Sequence, residues 1–170
     1  MKLLPPSMEY DKQIQNFRRE FLACGDSMDG SASLRKFDHT MDWLGQLEPD
    51  TTHWICIRKE DEKMVGMIQI RHRFNEFLEK YAGHIGYCVC PSERKKGYAT
   101  RMLAAALEEC GRLGIMDVLV CCLEGNEASR RTILKNGGVF ESKVFEPRSQ
   151  RWIERYWVHW GDGGLYKTYA

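Results

Sequence analysis

The run Arg94-Lys95-Lys96-Gly97-Tyr98-Ala99 stands between an apolar stretch, His84 to Pro91, and an amphipathic one, and it has the residue types of an anion site. A loop that feeds a helix presents unpaired backbone N–H groups at the positive end of the helix dipole. Gly97 admits a phosphate close to the main chain, and Arg94, Lys95 and Lys96 add positive charge beside it. The spacing is neither G-x-x-x-x-G-K-[ST] nor a three-glycine dinucleotide fingerprint, which disfavours nucleoside triphosphates and NAD. Cys88, Cys90, Cys121 and Cys122 fall in two apolar runs. C-x-C and C-C are poor spacings for tetrahedral zinc, and buried cysteines behave as small apolar residues, so no metal is expected. A nucleophilic cysteine lacks an identifiable His and acid partner.

The elements that must position this loop can be read from periodicity. Tyr98 to Leu113 is an amphipathic helix, with Ala99, Met102, Leu103, Ala106, Leu107, Cys110 and Leu113 on one face and Gly114 as its stop. Around it the order strand, helix, strand, helix (His84 to Pro91, Tyr98 to Leu113, Asp117 to Cys122, Asn126 to Asn136) argues for parallel strands joined by a crossover helix. Upstream, Glu9 to Cys24 reads as a helix ended by Gly25, and Leu34, Phe37, Met41, Leu44 and Leu47 space a second helix that runs to Pro49. His53 to Arg58 and Met64 to Arg73 form a hairpin around a charged turn. Phe74 to Gly83 is left open between a short helix and a loop. Strands return at Gly138 to Phe145 and at Glu154 to Trp160, and Gly161 to Gly164 ends the last one.

At RKKGYA, with Pro91 three residues before Arg94, the sequence resembles the GNAT superfamily of N-acetyltransferases, whose pyrophosphate loop reads Q/R-x-x-G-x-G/A. GNEASRRTILKNGGVF resembles the second motif of that family, in which an Asn opens a helix that ends in a Gly-rich turn. The resemblance covers about His84 to Phe145, and HIGYCVCPSERKKGYAT and KNGGVFE look most like a group of uncharacterised bacterial acetyltransferases. It implies that acetyl-CoA binds with its pyrophosphate on the amides of Arg94, Lys95, Lys96, Gly97, Tyr98, Ala99 and Thr100. Its pantetheine arm would pair with Cys88, Val89 and Cys90, and Asn126 would contact the arm. A backbone N–H near Val89 would stabilise the developing oxyanion. An amine would attack the thioester directly in a ternary complex, which requires a base and is helped by an acid.

The chain departs from the family at the tyrosine that usually protonates the thiolate, because Ile133, followed by Leu134, stands there. Tyr87 and Tyr156 are the alternatives by position, and water would also serve a leaving group as good as a thiolate. For the base, His84 has a suitable intrinsic pKa and sits at the start of the same strand, and a water chain from a more distant carboxylate would also serve. In a regular strand His84 and Tyr87 point to opposite faces, so a bulge would be needed for both to act at one site. Asn126 with Ser129 three residues on also reads as a plain N-cap.

Composition narrows the remaining classes. The chain has 170 residues, 43% hydrophobic and 29% charged, with 25 Lys plus Arg against 24 Asp plus Glu. That length and balance fit one folded domain over residues 1–170, and a net charge of +1 offers no field for nucleic acid or an anionic membrane. MKLLPPSMEY is too short an apolar start for a secretory signal, and no run approaches a membrane span. Seven scattered cysteines fit reduced thiols in a cytoplasm. RWIERYWVHW reads as a half-buried strand whose exposed aromatics would line an acceptor pocket or a homodimer contact. The fold expected is α/β: a mixed, largely antiparallel central sheet, splayed at the parallel pair, with helices on both faces. The expected activity is acetyl transfer from acetyl-CoA to a primary amine on a small molecule or protein. The rival readings are a non-catalytic acyl-CoA sensor and a protein-interaction domain.

Overall fold

Short β-branched runs and amphipathic stretches alternate along the chain, and a computed structural model, which describes residues 1–159, shows how they assemble. The strands are β1 (Lys2–Leu4), β2 (Thr51–Ile57), β3 (Met64–Arg71), β4 (Ile85–Val89), β5 (Asp117–Leu123), β6 (Val139–Glu146) and β7 (Arg151–His159). They form one sheet in the order β1-β2-β3-β4-β5-β7-β6, in which only β4 and β5 run parallel. The helices are α1 (Asp11–Cys24), α2 (Thr40–Leu44), α3 (Tyr98–Arg112) and α4 (Glu127–Lys135).

Each face of the sheet has its own core. On one face Met102, Leu103, Ala106 and Leu107 of α3 and Ile133 of α4 pack on Ile68, Ile85, Val118 and Val120. On the other face Ile14, Phe17 and Phe21 of α1 and Trp43 of α2 pack on Ile55, Met67 and Cys88. The apolar stripe of α3 is the reason for its placement: fully burying each such leucine contributes about 1.5–3 kcal/mol.

The expected elements appear, with three differences. The helix read over 34–47 is broken into a 3-10 turn at Leu34–Lys36, an extended link at Phe37 to His39, and the short α2. Ala32 and Ser33 take positive φ, and Trp43 Nε1 donates to Ser31 O at 3.0 Å, so tertiary hydrogen bonds and a buried Trp43 override the apolar spacing. Met41, counted as an inner position, is 65% exposed. Lys2–Leu4 forms an edge strand on β2 that is too short to show alternation. Residues 74–83 contain a π-helical turn at Leu78–Ala82. Trp160 and the Gly161 to Gly164 stop lie outside the described residues. Among the described residues no helix is long and apolar enough to cross a membrane, and no group of three His, Cys, Asp or Glu side chains is placed to hold a metal ion.

Candidate active site

The parallel pair splays at once. Ile85↔Val120 is the one register pair between β4 and β5, whereas β4 stays paired with β3 from Ile85 to Val89 and β5 with β7 over its whole length. From Gly86 onward the sheet therefore opens as a wedge. Along the β3 side the ladder bonds fall on even-numbered residues, as in Arg71 N–H to His84 O (2.8 Å) and Cys90 N–H to Val65 O (2.9 Å). By the alternation of an antiparallel ladder, Tyr87 and Val89 turn their N–H groups into the wedge. Of the three residues expected to pair with an extended arm, only Val89 presents its backbone there, because Cys88 and Cys90 face β3. Both thiols are buried, and burial raises their pKa values, that of Cys90 to about 12.

Beyond Val89 the chain makes a 3-10 turn at Pro91–Glu93 and enters α3 through Gly97, whose φ is +77°. No side chain caps α3. Among the described residues, the N–H groups of Lys95 through Thr100 have no acceptor, and the first bond of the helix is Arg101 N–H to Gly97 O (3.2 Å). A Cβ on Gly97 would meet nothing within 4 Å, so the space in front of these amides is open. The geometry is an anion cradle with its donors unspent.

Two acid side chains hold the cradle still. Glu93, 4% exposed, accepts from Arg58 (2.7 Å), Lys63 (2.8 Å) and Lys96 (2.8 Å). Hydrogen bonds from Lys63 and Lys96 hold its carboxyl down at about 2. Glu20 of α1 accepts from Ser92 N–H at 2.6 Å. Arg94 pairs with Asp26 at 2.5 Å over the ring of Phe21 and donates weakly from Nε to Val89 O at 3.4 Å, whereas exposed Lys95 has no ion pair among the described residues. Of the three cations expected at the phosphates, Lys95 is thus the free one, Lys96 is fixed by Glu93, and Arg94 ties the cradle to the 25–33 loop.

At α4 the side-chain Oδ1 of Asn126 accepts from Ser129 N–H at 3.1 Å, and its side-chain Nδ2 has no acceptor among the described residues. The cap is real, and one donor of the same side chain stays free. Tyr87 reaches from β4 to this helix, sharing a 2.7 Å hydrogen bond with Ser129 Oγ beside the wedge. Burial pushes its phenol up to about 12. The other two candidates are spent. Tyr156 is 3% exposed and donates to Glu154 Oε2 at 2.8 Å, and Glu154 is also held by Arg130 of α4. His84 accepts Leu119 N–H on Nδ1 at 2.9 Å, so the neutral ring carries its proton on Nε2 and has no lone pair to offer. Burial, with Arg71 nearby, lowers its pKa to about 4. Ile133, at the usual tyrosine position, is fully buried in the α3 core.

Residues 8–139 match the family model described as an acetyltransferase (GNAT) domain. The chain belongs to the GNAT acetyltransferases. These are acyl-CoA-dependent N-acetyltransferases whose donor is acetyl-CoA, and the open amides at Lys95 to Thr100 fit such a pyrophosphate-bearing donor. Solved structures share the GNAT fold at low identity. The microcin C7 self-immunity acetyltransferase, solved with acetyl-CoA and AMP, is 18% identical with a TM-score of 0.71, over 92% of this chain and 91% of that one. Ribosomal-protein-S5-alanine acetyltransferase from Vibrio fischeri is 12% identical (TM-score 0.68, 94% and 93% covered). A spermidine N-acetyltransferase variant from Vibrio cholerae is 11% identical (TM-score 0.67, 94% and 95% covered). No curated protein matches this GNAT chain.

The wedge and its tyrosine were partly hidden in the sequence. The departure at Ile133 pointed to Tyr87, but its partner Ser129 looked like a capping position only. Glu93, which organises the cradle, gave no signal beyond being the one acid among the cations of SERKK.

Proposed function

We propose that this protein transfers the acetyl group of acetyl-CoA to a primary amine by direct attack in a ternary complex, in a reducing cytoplasm. The observation that carries the reading is the uncapped start of α3, with the N–H groups of Lys95 to Thr100 unspent, next to a strand edge at Tyr87 and Val89 that has lost its partner. The donor supplies an activated acyl group and a good leaving group. The amides of Lys95 to Thr100 and the charge of Lys95 would hold its phosphates, the backbone of Val89 its extended arm, and the free amide nitrogen of Asn126 would donate to that arm. In the transfer an N–C bond forms, the C–S bond breaks, the amine gives a proton to water, and the thiolate leaves with the electron pair.

Tyr87 is the side chain placed to receive that thiolate. Its phenol, at about 12, is neutral at pH 7. Full proton transfer to the sulfur of a thiol of roughly 8.5 would run uphill, so the hydroxyl stabilises the departing thiolate through a hydrogen bond and leaves protonation to water. Tyr156 and Glu154 hold α4 on the sheet, and His84 joins β4 to β5 at the apex of the wedge.

Calorimetric titration with acetyl-CoA, CoA and ATP tests the reading, followed by thiol release over a panel of amines. Saturation at 100 times Kd should stabilise the fold by about 2.7 kcal/mol with either CoA species, and ATP should not stabilise it. Binding without turnover of any amine would leave a sensor, and absence of binding would remove the cradle.

A further inference from the structure

On the sheet face opposite Tyr87, three polar side chains gather beside the apex of the wedge with hydrogen-bonding capacity unspent. His53, Gln69 and Gly86 lie side by side across β2, β3 and β4. They face α1, because Ile55, Met67 and Cys88, two residues along each strand, belong to the α1 core. Gln69 is 8% exposed and makes no side-chain hydrogen bond among the described residues. Among the described residues His53 Nε2 is buried without a partner. Buried polar atoms are almost always paired, so the orphaned His53 nitrogen is unusual, and beside it the Gln69 amide keeps its hydrogen bonds for solvent or a ligand.

The third is Arg71, two residues beyond Gln69. Its Nη1 donates to Gly83 O at 3.0 Å and, weakly, to Ala82 O at 3.5 Å. Among the described residues Nε and Nη2 have no acceptor, and no carboxylate lies within 4.0 Å of the guanidinium. Nη2 stands 3.2 Å from where a Cβ on Gly86 would be, so the free edge of the fork lies at the first residue of the wedge. Gly30 of the 25–33 loop closes over the same spot, so near that a Cβ on it would collide with the Gly86 carbonyl group. Burial lowers the pKa of Arg71, opposed only at longer range by Cys121, Glu48 and Asp29. A partly buried guanidinium with half its fork free, beside the orphaned His53 nitrogen and the Gln69 amide, is complementary to a planar or tetrahedral oxyanion.

We propose that this row is the anion subsite of the acceptor: the amine that is acetylated also carries a carboxylate or a phosphate, which docks on the free edge of Arg71 with Gln69 and His53 beside it. The inference rests on the transferase reading above and names the substrate class of the same site. It selects small amino acids or aminoalkyl phosphates over polyamines, whose acceptors carry only positive charge. Arg71 is then a specificity residue that touches substrate, and the 25–33 loop is the lid of its subsite.

The test uses matched pairs of acceptors with the wild-type chain: L-amino acids against their carboxamides, O-phosphoethanolamine against ethanolamine, and spermidine as an anion-free amine. One charged series should exceed its neutral partners in kcat/KM by about tenfold or more, with the difference in KM, and the winning series tells carboxylate from phosphate. In Arg71→Gln that ratio should fall to about one, and Arg71→Lys should keep part of it. Gln69→Glu, which leaves the bond from Arg71 to Gly83 in place, supplies the fork with an internal carboxylate and should lower the ratio too. This variant also covers a failure of Arg71→Gln to fold. If neither series is preferred, if spermidine is best, or if Arg71→Gln lowers both members of each pair alike, the subsite is overturned and Arg71 only braces the Ala82 and Gly83 carbonyls. Wild-type binding of acetyl-CoA, titrated in parallel, separates that result from failure of the transferase reading.

Discussion

Helices α3 and α4 start from the same local design and end in opposite electrostatic states. Each follows a strand of the splayed pair, and each is entered near a glycine at positive φ, Gly97 at +77° and Gly125 at +82°, with open space where a Cβ would stand. At α4 the side-chain Oδ1 of Asn126 caps the first turn. At α3 nothing does, although an uncapped first turn costs about 1 kcal/mol relative to a good N-cap. The surroundings of α3 are nevertheless rigid, clamped by Glu93 and its three cations. A helix end that is held still but left unsatisfied is organised for an external anion, whereas a capped one is finished as structure.

The largest expected effect breaks this contrast directly. Gly97→Glu and Gly125→Glu impose the same strain, about 1–2 kcal/mol for a side chain at positive φ, and neither Cβ meets a neighbour. Only the first places a carboxylate before unpaired amides. Calorimetry should show acetyl-CoA affinity falling by about a hundredfold or more in Gly97→Glu and by less than about fivefold in Gly125→Glu, with similar losses in Tm. Equal losses of affinity would show that the uncapped turn is not special.

A second pair of substitutions sharpens the roles of the tyrosines on either side of α4. Tyr87→Phe removes a hydroxyl poised beside the wedge, and kcat should drop by about tenfold while acetyl-CoA affinity stays within about twofold. Tyr156→Phe removes a donor from the buried Glu154–Arg130 pair, and its cost of about 1 kcal/mol should appear in the denaturation midpoint and spare kcat. If the kinetic loss fell on Tyr156 instead, the thiolate would have to leave on the β7 side.

The same comparison explains what could be read in advance. RKKGYA and the stripe of α3 are local signals, so the cradle was legible from loop, glycine and helix periodicity. The parallel pair followed from strand order, and its splay from the resemblance to the GNAT family. The helix expected over 34–47 failed because Trp43 is anchored to the carbonyls of Ser31 and Ala32, contacts that no 3.6-residue period encodes. His84 looked like a base by pKa alone, and only the fold reveals that Leu119 N–H occupies its Nδ1. The row of His53, Gln69 and Arg71 was invisible, since its members become neighbours only through strand register across β2, β3 and β4.

The smallest effect concerns Asn126, where capping and the proposed contact with the donor would fall on one side chain. Asn126→Ala loses the bond from Ser129 N–H and should cost about 1 kcal/mol, or roughly 2–4 °C in Tm for a chain of this size, together with a few-fold rise in KM for acetyl-CoA. Asn126→Asp separates the two roles. Its carboxylate still accepts from Ser129 N–H and suits the positive end of the helix, so Tm should return to the wild-type value. It has no N–H to give, however, so KM for acetyl-CoA should stay raised. Recovery of both quantities in Asn126→Asp would assign Asn126 to capping alone, leaving the amides of α3 and the edge of β4 to hold the donor.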